Sequence, residues 1–315
     1  MYMFLLMHIA YGTRARLHTA TDVEIFCNRT AIPPSPDEYD FLGTMKYAKL
    51  PSGDIAYYRF GTSQVGQPAL VMVAGFGSTM STWPLSMLRA LAVNQEMVIF
   101  DNNNNPSAVI TIPGMAQDTM DLVHHLELKR PNLLGVSMGG MIVLTAVALN
   151  SSSVDRVISL AGSPGSVNSP RPQPQAIEAI LGLSGNIEDE WNLLFNLSTP
   201  AGKEAFCNFE LEPRISDPSN AETTANQAKG VLEYFVAYNT TYDAMPDLPN
   251  DLLLVGGSED ILVPPGGLKY VASVAGYPWL MVLDGGAHAA FVQYLPYMMD
   301  IFHTFLYMDT PEIFD

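Results

Sequence analysis

The 315-residue sequence predicts an α/β fold, a mostly parallel central sheet flanked by helices. Three observations carry this. Short apolar runs alternate with amphipathic stretches from about residue 45 to 160, and the alternation resumes near 250. The apolar run Leu133–Val136 turns abruptly, across Gly135-Val136-Ser137-Met138-Gly139, into the long apolar stretch Met141–Leu149. The chain is 48% hydrophobic, enough to fill one large core.

The elements follow in order. Residues 1–43 read as an N-terminal extension ending in the Pro-rich run Ile32–Pro36. Thr44–Leu50 and Asp54–Phe60 pair as a hairpin around Pro51-Ser52-Gly53. Strands are expected near 69–74, 96–101, 132–136 and 154–160, with helices between them. The alternation then breaks at Gly162-Ser163-Pro164-Gly165 and a Pro-rich loop, and helical segments follow near 175–184, 188–196, 201–208 and 222–238. Strands at 251–255 and 280–284 and a helix at 291–306 close the chain. The core therefore reads as 44–162 plus 250–315, interrupted by a helical insertion at 163–249. No internal repeat is visible.

Gly135-Val136-Ser137-Met138-Gly139 is a G-x-S-x-G sequence between a strand and a helix. That context is what a nucleophile elbow requires. The sharp turn strains the serine backbone, and bulk at 135 or 139 would strike the neighbouring chain. The turn lifts the Ser137 hydroxyl clear of the sheet and aims the Met138 N–H into the space above it.

A nucleophilic serine needs a base, and the base needs an orienting acid. Among six histidines, His8, His18, His124, His125 and His303 sit in runs where a structural or solvent-facing role suffices. His288 instead follows the late strand Leu280–Leu283, in the Gly-rich loop Asp284-Gly285-Gly286-Ala287-His288. Loops at the C-terminal ends of strands are where an open α/β sheet gathers its site. The acid comes from the loop after strand 251–255, with Asp260 the candidate and its neighbour Glu259 the alternative. Early in the chain, Gly75-Phe76-Gly77-Ser78 follows strand 69–74 and can turn a backbone N–H toward a developing oxyanion.

On these residues the chain resembles the α/β-hydrolase superfamily, in the branch of small serine esterases and enol-lactonases. Gly135-Val136-Ser137-Met138-Gly139-Gly140-Met141, Gly257-Ser258-Glu259-Asp260-Ile261-Leu262-Val263-Pro264 and Gly286-Ala287-His288 match its nucleophile, acid-loop and histidine-loop patterns. The resemblance spans about residues 45–306. The order Ser137, Asp260, His288 is that of α/β-hydrolases. The resemblance implies the α/β-hydrolase fold, a cap or lid at the 163–249 insertion, and Phe76 N–H as the second oxyanion donor beside Met138. Two departures stand out. The family usually places His-Gly before the oxyanion residue, and here Ala74-Gly75 stands there. The family's Asp-x-Arg-Gly-x-Gly-x-Ser run is replaced by Asp101 followed by Asn102-Asn103-Asn104-Asn105-Pro106-Ser107, so that loop must be built differently. Ser137 also separates the chain from haloalkane dehalogenases and epoxide hydrolases, which attack with Asp. Met138 separates it from proline iminopeptidases, which commonly carry Trp after the serine.

Composition limits the partners. A net charge of −17 repels nucleic-acid phosphates and anionic membrane surfaces. No apolar run reaches the length of a membrane-spanning helix. Neither a phosphate-binding P-loop, a dinucleotide G-x-G-x-x-G nor a metal-ligand cluster is visible, so no metal or cofactor is expected. Cys27 and Cys207 are too few for a disulfide framework, and a single bridge between them is left open. Met3–Ala10 looks like a short signal h-region without a basic start, and sequons begin at Asn28, Asn150, Asn196 and Asn239. A cytoplasmic location is expected, with secretion the alternative.

The expected activity is hydrolysis of a carboxylic ester or lactone on a neutral, fairly hydrophobic small molecule. Acyl transfer to another acceptor, C–C bond hydrolysis, or a weakly hydrolytic receptor role would use the same residues. Cap residues such as Ile180, Leu181, Leu183, Trp191, Leu194, Phe195, Leu232, Tyr234 and Phe235 are the candidates for shaping the pocket or packing the cap.

Overall fold

A computed structural model describes residues 20–31, 37–80, 83–102, 110–180, 186–212 and 221–308. Its strands are β1 (Lys46–Leu50), β2 (Gly53–Gly61), β3 (Leu70–Val73), β4 (Glu96–Phe100), β5 (Asn132–Val136), β6 (Val157–Leu160), β7 (Asp251–Gly257) and β8 (Tyr277–Leu283). Its helices are α1 (Ala20–Cys27), α2 (Leu85–Ala92), α3 (Ile112–His125), α4 (Met138–Leu149), α5 (Pro174–Ile180), α6 (Ile187–Phe195), α7 (Pro200–Leu211), α8 (Ala221–Ala237), α9 (Thr240–Ala244), α10 (Gly266–Val274), α11 (Ala290–Gln293) and α12 (Leu295–Tyr307).

The strands form one eight-stranded sheet in the order β1-β2-β4-β3-β5-β6-β7-β8. The hairpin partner β2 runs antiparallel to β4, and every pairing from β4 through β8 is parallel. The sequence expectation of a mostly parallel sheet with flanking helices holds. Strands β3 to β7 are buried on both faces, which is why they read as unbroken apolar runs. Alternate residues feed opposite layers. Val71, Val73, Val98 and Phe100 pack with α3 and α4 on one face; Leu70, Met72, Met97 and Ile99 pack with α2 and α12 on the other.

Local chemistry sets the helix starts. Thr111 accepts the Gly114 N–H at the head of α3, and Thr199 accepts the Gly202 N–H at the head of α7, each followed by an early proline. The closing helix expected at 291–306 is divided: α11 ends at Gln293 and α12 begins after Tyr294, with Pro296 in its first turn. Proline is tolerated there and not in a continuous helix interior.

Helices α5 to α9 lie between β6 and β7, inside the 163–249 segment. Its end is woven into the core. Tyr234 and Phe235 of α8 join the cluster around α4, and the Tyr234 hydroxyl lies 3.0 Å from Thr145 Oγ1. Burial drives the Tyr234 hydroxyl well above the usual phenol range. Thr241 of α9 donates to the same Thr145 oxygen at 2.9 Å.

The one open cysteine question is answered: Cys27 of α1 and Cys207 of α7 form a disulfide across 180 residues. Bridges of this kind persist in oxidising compartments. Phe26, Trp191 and Phe206 pack edge to face or tilted around it. Replacing both cysteines by serine is expected to lower stability by about 2–5 kcal/mol, read as a lower urea midpoint. A midpoint equal to the parent's would mean that the bridge constrains neither state. Of the sequon asparagines, Asn28, Asn150 and Asn239 are exposed, whereas Asn196 is half-buried with its amide committed to the Gly285 carbonyl. His8, His18, Met3–Ala10, the Pro-rich 32–36 run, Asn103–Asn105, Leu181 and Leu183 lie outside the described residues.

Candidate active site

The order of the sheet creates the site. The chain leaves β3 toward β4 on one side, and β5 takes the place on the other, so the loops after β3 and β5 part above neighbouring strands. A crevice at such a switch point is where open α/β sheets bind ligands. The β3 loop carries Phe76 and the β5 loop carries Ser137.

Ser137 stands between β5 and α4 with φ 57° and ψ −119°, a conformation L-residues rarely adopt. The backbone around it leaves no spare room. A Cβ on Gly135 would come 2.1 Å from the Gly139 carbonyl oxygen, and one on Gly139 would come 2.1 Å from that of Val73. Ser137 N–H donates to Leu160 O at 2.8 Å, fixing the elbow to the next strand. Met138 opens α4, so its N–H has no acceptor within the helix.

The Phe76 loop runs close against this elbow: a Cβ on Gly75 would sit 3.4 Å from Ser137 Cβ. The departures noted in the sequence find their structural answer here. Asn102, first of the asparagine run, donates its amide to the Ala74 carbonyl at 3.0 Å. Asp101 Oδ1 accepts the Met80 N–H at 2.8 Å, and Gln227 of α8 accepts the Gly77 N–H at 2.9 Å. The loop is thus braced by Asp101, Asn102 and Gln227, which no motif marks as a group. Asp101 alone carries a signal, as the residue ending the β4 run. Burial raises its carboxyl above the ordinary range, partly offset by the Met80 N–H. A raised carboxyl opposes folding while it is ionised, and that cost disappears as pH falls through its folded titration. Asp101→Asn keeps an acceptor for Met80 without the charge. It is expected to raise Tm near neutral pH and to lose that advantage in acid, measured by thermal melts across pH. An equal change at every pH would locate its effect elsewhere.

Asp260 and His288 meet. Asp260 Oδ2 lies 2.8 Å from His288 Nδ1, with both side chains almost wholly buried. The other oxygen, Oδ1, accepts the N–H groups of Leu262 at 2.9 Å and Val263 at 2.8 Å, which fix the carboxylate's direction. The acid and histidine loops are stitched together by Glu259 N–H to Gly286 O at 2.9 Å. The alternative acid, Glu259, is exposed and bonded to Ser258. His124, His125 and His303 are exposed on α3 and α12. Among the described residues no hydrogen bond joins Ser137 to His288; such contacts often tighten only around substrate.

Ser137, Phe76 and Met138 line one cavity of about 80 Å³, together with Met141, Ile177 and Phe235. Among the described residues of its lining, Ser137 is the sole polar side chain. Ile180 and Leu232 also face it. Trp191 and Phe195 do not: they pack with α1 and Phe206 around the disulfide. Pattern alone could not separate these two groups, because both sit on apolar faces of the insert.

A strained serine elbow beneath a Gly-rich loop, at the switch point of an eight-stranded mostly parallel sheet, defines the class of protein. The chain belongs to the alpha/beta hydrolase family, whose profile matches residues 70–296. Among curated relatives, a putative carbamate hydrolase RutD from Stutzerimonas stutzeri (strain A1501) is 23% identical over 254 residues, covering 75% of this chain and 90% of that protein. Among solved structures, the enol-lactonase from Burkholderia xenovorans LB400 superposes with TM-score 0.66 at 18% identity, over 84% of this chain and 100% of that one. The 2-hydroxy-6-oxo-6-phenylhexa-2,4-dienoate hydrolase from Rhodococcus sp. strain RHA1 does so with TM-score 0.63 at 21% identity, over 84% and 99%. At these identities the structural likeness establishes the fold.

Proposed function

We propose that the protein is a serine hydrolase that cleaves a carboxylic ester or lactone of a neutral, fairly hydrophobic small molecule through an acyl-enzyme. The observations that carry this reading are the buried Asp260–His288 pair and the positive-φ serine at an apolar cavity, which Leu262 and Val263, the backbone donors to Asp260, also line. Ser137 Oγ attacks the carbonyl carbon while His288 Nε2 takes the hydroxyl proton. Asp260, held by two backbone N–H groups, keeps the imidazole's Nδ1 proton facing it and stabilises the imidazolium. The N–H groups of Phe76 and Met138 receive the oxyanion. His288 then protonates the departing alkoxide, and in the second half activates water to release the acid and regenerate Ser137. Every step uses side chains or backbone of this chain and one water molecule.

The apolar lining favours an uncharged acyl group over a polar one. Likeness to a putative carbamate hydrolase makes carbamates the comparison class to assay. The test is covalent labelling with a fluorophosphonate, followed by kcat/KM across esters, lactones and carbamates. Labelling at Ser137 with turnover of apolar esters supports the reading; no labelling and no turnover would overturn it.

The 163–249 insert is proposed to set substrate choice as a cap. Phe235→Ala and Ile177→Ala enlarge the cavity and should reorder a series of acyl-chain lengths by about 10-fold or more in relative kcat/KM. Trp191→Ala, which alters the cluster around the disulfide and no described residue of the cavity lining, should lower Tm and leave the order intact. If all three kept the parent order, specificity would reside in the β3 and β4 loops.

A further inference from the structure

The loop that carries His288 is fastened to the insert as well as to the core. Three hydrogen bonds make the joint. The Asn196 side-chain amide donates to Gly285 O at 2.7 Å, His288 N–H donates to Leu193 O at 3.2 Å, and Ala289 N–H donates to Leu194 O at 2.7 Å. Leu193 and Leu194 lie in the last turn of α6, where carbonyls have no partner within the helix. The histidine loop satisfies them, and α6 in turn satisfies the loop's amides.

Asn196 is itself locked. It closes α6 with φ 28°, and its Oδ1 accepts the Ser198 hydroxyl at 2.6 Å. Its carbonyl accepts the Thr199 N–H and hydroxyl, both at 3.1 Å, at the head of α7. A Cβ on Gly202 would come 2.3 Å from that carbonyl oxygen, so α7 presses directly on the corner. Behind α7 stands α1, tied by the Cys27–Cys207 bridge and by Arg29, which reaches Asn208 at 3.0 Å and Glu204 at 3.2 Å. Ala289 and Val292, just past His288, pack against the aromatic cluster that α1, α6 and α7 share.

We propose that Asn196 is a positioning residue for His288: its amide holds the Gly285–Ala289 loop at the register that sets the imidazole on Asp260, and the bridged α1–α7 pair backs it. The insert would then tune catalysis as well as substrate fit. The proposal rests on His288 acting as the base in the reading above.

Asn196→Asp tests it with little change of shape. The Ser198 acceptor survives, and the donor becomes a carboxylate oxygen facing the Gly285 carbonyl. Misplacement of a catalytic group by about 1 Å can cost about 100-fold, so kcat on the best ester should fall about 10- to 100-fold with KM within about twofold. Hydrogen exchange gives a readout independent of turnover. The His288 and Ala289 amides should exchange about 10-fold faster or more, at the level of local opening, while the Leu262 and Val263 amides on Asp260 keep the parent rate. Asn196→Ala should move the same amides if the aspartate variant folds poorly. The Cys27→Ser/Cys207→Ser variant should move them less. Parental exchange at His288 and Ala289 in both Asn196 variants overturns the proposal. So does a uniform rise across the chain, or a faster loop with unchanged kcat. If the parent fails to label at Ser137, the hydrolase reading falls, and the exchange data still decide whether Asn196 holds the loop.

Discussion

Ser137→Ala is expected to abolish fluorophosphonate labelling and to lower ester turnover by about three to six orders of magnitude. The residual rate would come from the oxyanion donors and binding, which the substitution leaves in place. His288→Ala should lose nearly as much, because in the proposed mechanism nucleophile and base act as one unit and their losses do not add. Ser137→Gly should be equally inactive and more stable by about 1 kcal/mol, since glycine tolerates φ 57° without strain. The elbow would then be a place where stability is given up for a reactive hydroxyl. Turnover and urea midpoints of the three variants check this together. A Ser137→Ala protein that kept even a hundredth of parental kcat would remove Ser137 from the chemistry.

The second large effect is on folding. Gly139→Ala places a methyl group 2.1 Å from the Val73 carbonyl oxygen and 2.8 Å from that of Ala74. These are backbone atoms of buried strand β3 and the residue after it, and they cannot swing aside. The cost should exceed about 4 kcal/mol, seen as insoluble expression or a collapsed Tm. Gly135→Ala meets the Gly139 carbonyl at the same 2.1 Å and should behave alike. Gly285→Ala is the control: its φ is 68°, yet nothing lies within 4 Å of the added carbon, so the loss should stay near 1 kcal/mol. A Gly139→Ala protein melting within a few degrees of the parent would mean that α4 does not press on β3 as described.

Much of this is legible in the sequence because it is written in short-range chemistry. Strand β5 falls at Asn132–Val136 as expected, since an apolar run buried on both faces needs only local pattern to be recognised. The G-x-S-x-G run places the elbow because the steric demand on Gly135 and Gly139 lies within a few residues of the serine. Asp260 and His288 stand out as loop residues past strand ends, and the parallel order β6-β7-β8 makes those two loops neighbours. Less legible are groups whose meaning depends on the opposite side of a contact. Trp191 and Phe235 look alike as apolar aromatics of the insert, yet one packs beside a disulfide and the other faces the cavity.

By itself, then, the sequence determined the α/β layering and the strained serine, and it singled out Asp260 and His288, the loop residues that the structure pairs, because periodicity, glycine placement and chain order are local quantities. Only the tertiary structure decided the rest. It paired Cys27 with Cys207, set Asn102 and Gln227 on the Phe76 loop, and brought Asn196 to the carbonyl of Gly285. Each of these joins residues far apart in the chain, and what brings them together is the collective packing of helices on a finished sheet, a property no local pattern encodes.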